Sequence, residues 1–292
     1  MLKALKIATC QFPIDADVAP NLAFVRRQLQ EASRRGAHVV HFSETALSGY
    51  AGVEWPTLEN YPWDDLESAL REVMGLARKL RLWVVLGSMH RLARHKPHNS
   101  VYVIDDRGRI ADRYDKLFCT GNPSGTKSDL RHYTPGDHFV TFAVRGWKCG
   151  VLICHDFRYP ELARQYARLG TNVLFYSFHN GHFPIAKMRT KGRRFAALVP
   201  ATMQAYASVN HQWISAANTS RRHSAWGGFT VQPDGMIAGR LQPGNPAVLV
   251  TRCEDPAKFD DAARSWRDRA LRGILHSGKQ VSDPRSRHRR GL

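Results

Sequence analysis

The chain has 292 residues, 43% hydrophobic and 23% charged, which excludes an intrinsically disordered chain and suffices to bury a core without disulfide or metal staples. Its 43 basic and 25 acidic residues leave a net charge of +18, concentrated in residues 147–292, which hold 23 basic and 9 acidic residues. No zinc finger, aromatic RNA-binding strand or long basic helix accompanies that charge, so it reads as a solvated basic face rather than a nucleic-acid surface.

Short β-branched runs alternate with amphipathic stretches along the chain. Lys3–Pro13 is a predicted strand, and Ala19–Arg35 a helix with Leu22, Phe24, Val25, Leu29 and Ala32 at helical spacing, stopped by Gly36. His38–Ser43 is a strand, Asp64–Arg81 a helix, and Trp83–His90 and Ser100–Asp105 are strands. The turn Asp106-Arg107-Gly108-Arg109 makes Ser100–Tyr114 a hairpin. His138–Val144 and Lys148–Cys154 are strands, Pro160–Leu169 is a helix with proline in its first turn, and Asn172–Phe178 is a strand. Pro184–Asn210 reads as largely helical, with Pro200 expected to begin a new helix or kink this one. Gln212–Ala217 is a strand, Gly228–Val231 and Met236–Arg240 form a hairpin around Pro233-Asp234-Gly235, Ala247–Thr251 is the last strand, and Phe259–Leu275 a final helix.

Parallel βα units mixed with hairpins, with no internal repeat or linker, argue for one α/β sandwich over residues 1–275, followed by a basic tail at 276–292 expected to be flexible. No apolar run approaches the length of a membrane span, and the first residues lack the continuous apolar stretch of a secretory signal. Five scattered cysteines without a CxxC pair argue against a disulfide framework or zinc site, so a cytoplasmic location is expected. His90, His95, His98, His179 and His182 match no metal-ligand spacing, and there is no Walker loop or dinucleotide fingerprint; neither a metal nor a nucleotide cofactor is expected.

Four residues with chemical potential follow predicted strands, where α/β folds place functional loops. Glu44 follows His38–Ser43, Lys116 ends the hairpin, Asp129 lies in the loop after it, and Cys154 ends Lys148–Ile153 before a helix. A thiol at a strand-to-helix turn is a nucleophile once a nearby cation lowers its pKa; Lys116 can be that cation and an oxyanion donor, and Glu44 a proton relay. Spacing alone equally allows a core cysteine, a loop glutamate and a surface lysine.

Ser43-Glu44-Thr45-Ala46-Leu47-Ser48-Gly49-Tyr50, Tyr114-Asp115-Lys116-Leu117, Pro135-Gly136-Asp137 and Gly150–Glu161, followed by Ala217-Asn218 and Gly227-Gly228-Phe229, stand in an order that resembles the nitrilase superfamily of carbon–nitrogen hydrolases across about residues 3–252. The resemblance implies a four-layer αββα sandwich and a cofactor-independent Glu–Lys–Cys site. Glu44 would be the general base, Lys116 the oxyanion stabiliser, Cys154 the nucleophile and the His155 backbone N–H a second oxyanion donor. It also implies a second glutamate after the lysine, but this chain has no glutamate between Glu72 and Glu161; Asp129, one methylene shorter, is the candidate replacement. By the same resemblance, Asp156 favours the amidase and carbamoyl-amidase side of the family over nitrilases, whereas His155 is unusual at its position. The expected reaction is therefore hydrolysis of an amide or N-carbamoyl C–N bond. Nitrile hydrolysis, or a weakly catalytic protein that binds partners through its basic half, are the alternatives. Tyr50, Phe157, Arg158, His179 and Asn180 are candidate pocket residues, and the family implies a homodimer or larger assembly.

Overall fold

The strand sequences alternate between two different cores, and that alternation sets the layers. Successive side chains of a strand point to opposite faces. Ile7, Val39, Val85, Val101 and Val103 join one buried cluster. Their neighbours Ala8, Val40, Val84, Leu86, Tyr102 and Ile104 join another. A sheet apolar on both faces must be covered on both.

The computed structural model describes residues 1–290 and places a sheet at that position. Its first half runs β1 (Leu5–Gln11), α1 (Val18–Arg34), β2 (Val39–His41), α2 (Trp63–Leu80), β3 (Trp83–His90), β4 (His98–Ile104) and β5 (Ile110–Asp115). The second half runs α3 (Asp129–His132), β6 (Thr141–Val144), β7 (Trp147–Ile153), α4 (Pro160–Arg168), β8 (Val173–Ser177), α5 (Ile185–Lys187), α6 (Arg193–Asn210), β9 (Trp213–Ala217), β10 (Phe229–Val231), β11 (Ile237–Arg240), β12 (Ala247–Cys253), α7 (Arg267–Leu271) and α8 (Pro284–Arg287). Two six-stranded sheets result, ordered β12-β1-β2-β3-β4-β5 and β11-β10-β9-β8-β7-β6. Helices α1 and α2 cover the outer face of the first through Val25, Leu29, Leu66 and Val73. Helices α4 and α6 cover the second through Leu162, Tyr166, Val199 and Met203, giving the expected αββα sandwich.

A polar seam runs between the sheets. The buried His41 ring contacts Ser215 Oγ through Nδ1 at 2.8 Å and Ser177 Oγ through Nε2 at 3.1 Å. Thr9 Oγ1 meets Ser215 Oγ at 2.8 Å.

The stretch read as helical over Pro184–Asn210 is helical, and one predicted helix differs from the structure. Pro200 lies inside α6 without ending it. It leaves the Ala196 carbonyl without a helical donor, but Ala196 is exposed, so water can take that bond. A π-helical turn at Met188–Gly192 precedes this helix. The helix expected at Phe259–Leu275 shrinks to α7. Phe259 packs edge-on against Trp213 in an extended conformation, and the Asp261 carboxylate pairs with Arg267, so the chain turns where periodicity alone predicts helix. Residues 276–290 of the predicted tail are exposed and include the short α8; 291–292 lie outside the described residues.

Candidate active site

Glu44, Lys116 and Cys154 are each held in a tight connection just past a strand. After β2 the chain turns through Thr45 at φ 52°. Gly87 of β3 packs against this turn so closely that a Cβ there would stand 2.0 Å from the Ser43 carbonyl oxygen. Lys116 follows β5 and is fixed through its backbone, its N–H donating to Asn99 O and its carbonyl accepting from Gly136 N–H, both at 2.9 Å. That second bond gives the Pro135-Gly136 turn its use. A Cβ on Gly136 would lie 2.3 Å from the Asp115 carbonyl oxygen. Cys154 follows β7 at φ 39° and opens a short 3₁₀ turn through Arg158. Buried Asp156 braces that turn, accepting from Ile153 N–H at 3.0 Å, Phe118 N–H at 2.8 Å and Tyr114 O–H at 2.8 Å. The cysteine and lysine loops are thereby tied to one carboxylate.

The side chains converge. Lys116 Nζ, 1% exposed, donates to Glu44 Oε1 and Asp129 Oδ2, both at 2.8 Å, and to Tyr50 Oη at 3.3 Å. Tyr50 in turn donates to Asp129 Oδ1 at 2.7 Å, and Thr120 N–H donates to Asp129 Oδ2 at 3.0 Å. Asn99 Nδ2 donates to Glu44 Oε1 at 2.8 Å. Glu44 Oε2 is buried and has no partner. One carboxylate oxygen is therefore anchored and the other is left for a proton. On the far side, Asn180 Nδ2 lies 3.7 Å from Cys154 Sγ.

Burial opposes the Lys116 charge, but Glu44, Tyr50 and Asp129 more than offset it and hold the ammonium well above its usual pKa. Burial likewise opposes the Asp129 charge, and Lys116 outweighs it, holding the carboxyl below its usual range. The thiol departs from the sequence expectation. Burial, then Glu44, push Cys154 well above an ordinary thiol, and Lys116 only partly counteracts them. The expectation counted one cation; the site holds that cation between two carboxylates. Burial and the flanking carboxylates thus favour the thiol form of Cys154 over the thiolate.

Profile comparison matches residues 6–255 to the carbon-nitrogen hydrolase family. The chain belongs to that family. Curated relatives include "Nitrilase homolog 2" of Dictyostelium discoideum, 26% identical over 78% of this chain and 69% of its own length. "Omega-amidase NIT2" of Mus musculus is 27% identical over 81% of this chain and 84% of its own. "N-carbamoylputrescine amidase" of Solanum lycopersicum is 29% identical over 62% of this chain and 61% of its own. Among solved structures, a mutant of an amidase from Nesterenkonia AN1 superposes with TM-score 0.73 at 19% identity, covering 93% of this chain and 97% of that one, which establishes the shared fold.

This carbon–nitrogen hydrolase disposes its other candidate residues unevenly. Tyr50 binds Lys116 and Asp129, and Asn180 faces the sulfur. Asn218, of the Ala217-Asn218 motif, holds Asn180 there. Asn218 Oδ1 accepts from Asn180 N–H at 2.7 Å, and its Nδ2 donates to Asn180 O at 3.2 Å. Phe157 points into the core against Phe178, and exposed Arg158 lies over the Phe157 and Phe195 rings. The His155 ring turns towards Tyr159, its Nε2 3.4 Å from the hydroxyl. His179 reaches Glu54, as does His182. Among the described residues no three His, Cys, Asp or Glu side chains are grouped to hold a metal, and no helix is long and apolar enough to cross a membrane. A cleft of about 550 Å³ borders the site at Tyr50, Asp129 and His179. Sequence reasoning missed Asn99 and Glu54; Glu54 is the single acid of the Tyr50–Trp55 loop, which was its only signal.

Proposed function

We propose that this carbon–nitrogen hydrolase cleaves an amide or N-carbamoyl C–N bond through a thioester on Cys154. The observation that carries the reading is the anchored Lys116 between Glu44 and Asp129, with Glu44 Oε2 buried and unpartnered. As Cys154 Sγ attacks the carbonyl carbon, Glu44 Oε2 takes the thiol proton. The oxyanion forms against Lys116 Nζ and the His155 backbone N–H. The Lys116 bond to Tyr50, at 3.3 Å the longest of its three, is the one to be exchanged for the oxyanion. Collapse breaks the C–N bond, and Glu44 returns the proton to the departing nitrogen, releasing ammonia or an amine. Water then attacks the thioester, losing its proton to Glu44. The C–S bond breaks, the acid leaves and the thiol is reprotonated. Asp129 keeps Lys116 charged and pointed throughout. The five cysteines, all unpaired, fit a cytosolic setting for this chemistry.

A panel of amides, N-carbamoyl amines and nitriles assayed for ammonia release tests the reading and ranks the three classes. Cys154→Ala should abolish release and leave the fold intact. Wild-type release by that variant would remove Cys154 from the nucleophile role.

A further inference from the structure

Glu54 is a buried carboxylate beside the site that the reaction just described does not use. Its side chain is 1% exposed. Oε2 accepts from the Tyr50 backbone N–H at 3.0 Å. Oε1 meets His179 Nε2 at 3.1 Å and His182 Nε2 at 2.7 Å. A carboxylate removed from water needs such partners, and here they come from two different parts of the fold. Tyr50 follows the turn after β2, whereas His179 and His182 follow β8.

Each partner leads to a reacting group. The Tyr50 hydroxyl binds both Lys116 and Asp129. His179 stands between Phe178, whose carbonyl accepts from Glu44 N–H at 3.3 Å, and Asn180, whose amide faces Cys154 Sγ. The rings of Tyr50 and His179 also touch, with centroids 5.0 Å apart. His182 sits at φ 61°, a conformation that costs a non-glycine residue energy and needs a contact to hold it. Glu54 is that contact.

We propose that Glu54 is a positioning residue that clamps the Tyr50 loop of the first sheet to the His179–His182 loop of the second, and so sets Lys116 and Asn180 against Cys154. The residue acts through Tyr50 and His179, not on substrate. The ionisation of the cluster agrees with this geometry. Burial opposes the Glu54 charge, but His179 and His182 override it and hold the carboxyl below its usual range. Burial opposes a charged His179, and Glu54 overrides it in turn, raising the imidazole. The groups facing His179 are Glu54, His182 and Tyr50, with Glu44 and Cys154 behind it.

The proposal rests on the Cys154 reading, and its test separates the two. Wild type and Cys154→Ala are compared for ammonia release; no Cys154-dependent release from any substrate would sink the reading of function. Glu54 is then examined by the rate of Cys154 alkylation by iodoacetamide against pH, which needs no substrate. Glu54→Gln keeps the shape and loses the charge. It should slow alkylation about tenfold or more, move its pH profile, and lower kcat by a similar factor while KM changes little, because misplacing reacting groups taxes the chemical step. His179→Gln should do the same, and the double variant should be no worse than either, because one clamp is lost once. An unchanged profile in Glu54→Gln, or effects that multiply in the double variant, would overturn the proposal. If Glu54→Gln does not fold, His182→Ala at the more exposed edge of the cluster decides: slowed alkylation supports the clamp, and a wild-type rate refutes it.

Discussion

Asp129 has to reach Lys116 with one methylene fewer than glutamate, and the backbone supplies the difference. Ser128 adopts φ 51° and Gly121 φ 148°, which folds residues 120–130 back on themselves. Leu130 N–H donates to Thr120 O at 3.0 Å, and Asp129 opens a short helix instead of standing in an open loop. The carboxylate thus enters the site with both oxygens engaged. Replacing it with asparagine would present a neutral amide to Lys116 and leave the buried ammonium with one charged partner. Asp129→Asn should lower kcat about 10²-fold, on the scale of a lost electrostatic contact, while the unfolding midpoint moves far less. Wild-type kcat in that variant would make Asp129 an ordinary buried acid. Position marked Asp129, as the only acid of its loop and the one standing six residues before Pro135. Glu54 stood out only as the single acid of the Tyr50–Trp55 loop, because its two histidine partners lie more than a hundred residues away and carry no spacing signal.

At the scale of elements, the central strands were legible because they bury two faces and their apolar runs are bounded by turn residues. Trp83–His90 is found with the boundaries its sequence suggests. The helix that misled is the one whose fate is settled by a tertiary contact, the Trp213 ring meeting Phe259. The connection after β7 shows the same dependence in the site itself. Its backbone strain at Cys154 is held by Asp156, which ties Ile153, Phe118 and Tyr114 together. Burial pushes the Asp156 carboxyl up to about 6, although its three donors and Lys116 pull the other way. Asp156→Ala strands those donors, each costing about 1–3 kcal/mol when left unpaired. The unfolding free energy from urea titration should fall by about 3 kcal/mol or more, and the folded remainder should lose ammonia release, because the cysteine and lysine loops share this anchor. A variant with the wild-type midpoint would show that the turn holds itself.

Across the whole molecule, the site exists only where the two sheets meet. Glu44, Tyr50 and Lys116 come from connections of the first sheet, Cys154 and Asn180 from connections of the second. Their alignment depends on how the sheets register, and the polar seam that registers them lies close by in sequence: His41 is three residues before Glu44, and Ser177 two before His179. Hydrophobic packing between sheets tolerates sliding, whereas an imidazole bonded at both nitrogens does not. Alternation predicted a buried strand here and gave no sign that one of its inward residues is a histidine bridging to the other sheet.

That histidine carries a pH dependence of fixed sign. Burial pushes the His41 pKa down to about 3, so the native state keeps it neutral. In the unfolded chain it titrates near an ordinary imidazole value, about 6.5. Between those values the unfolded state binds a proton that the native state refuses, so stability is full above about pH 6.5 and falls as pH drops towards about 3. The slope from this one group approaches 1.4 kcal/mol per pH unit, roughly, once the unfolded form is protonated. Urea unfolding of wild type at pH 7.5 and pH 5 should show that loss. His41→Gln keeps a donor and an acceptor for Ser215 and Ser177 but cannot titrate, so it should be less stable than wild type at pH 7.5 and lose less on going to pH 5. If His41→Gln lost as much stability as wild type over that interval, the acid sensitivity would belong to other groups and the seam would be structural only.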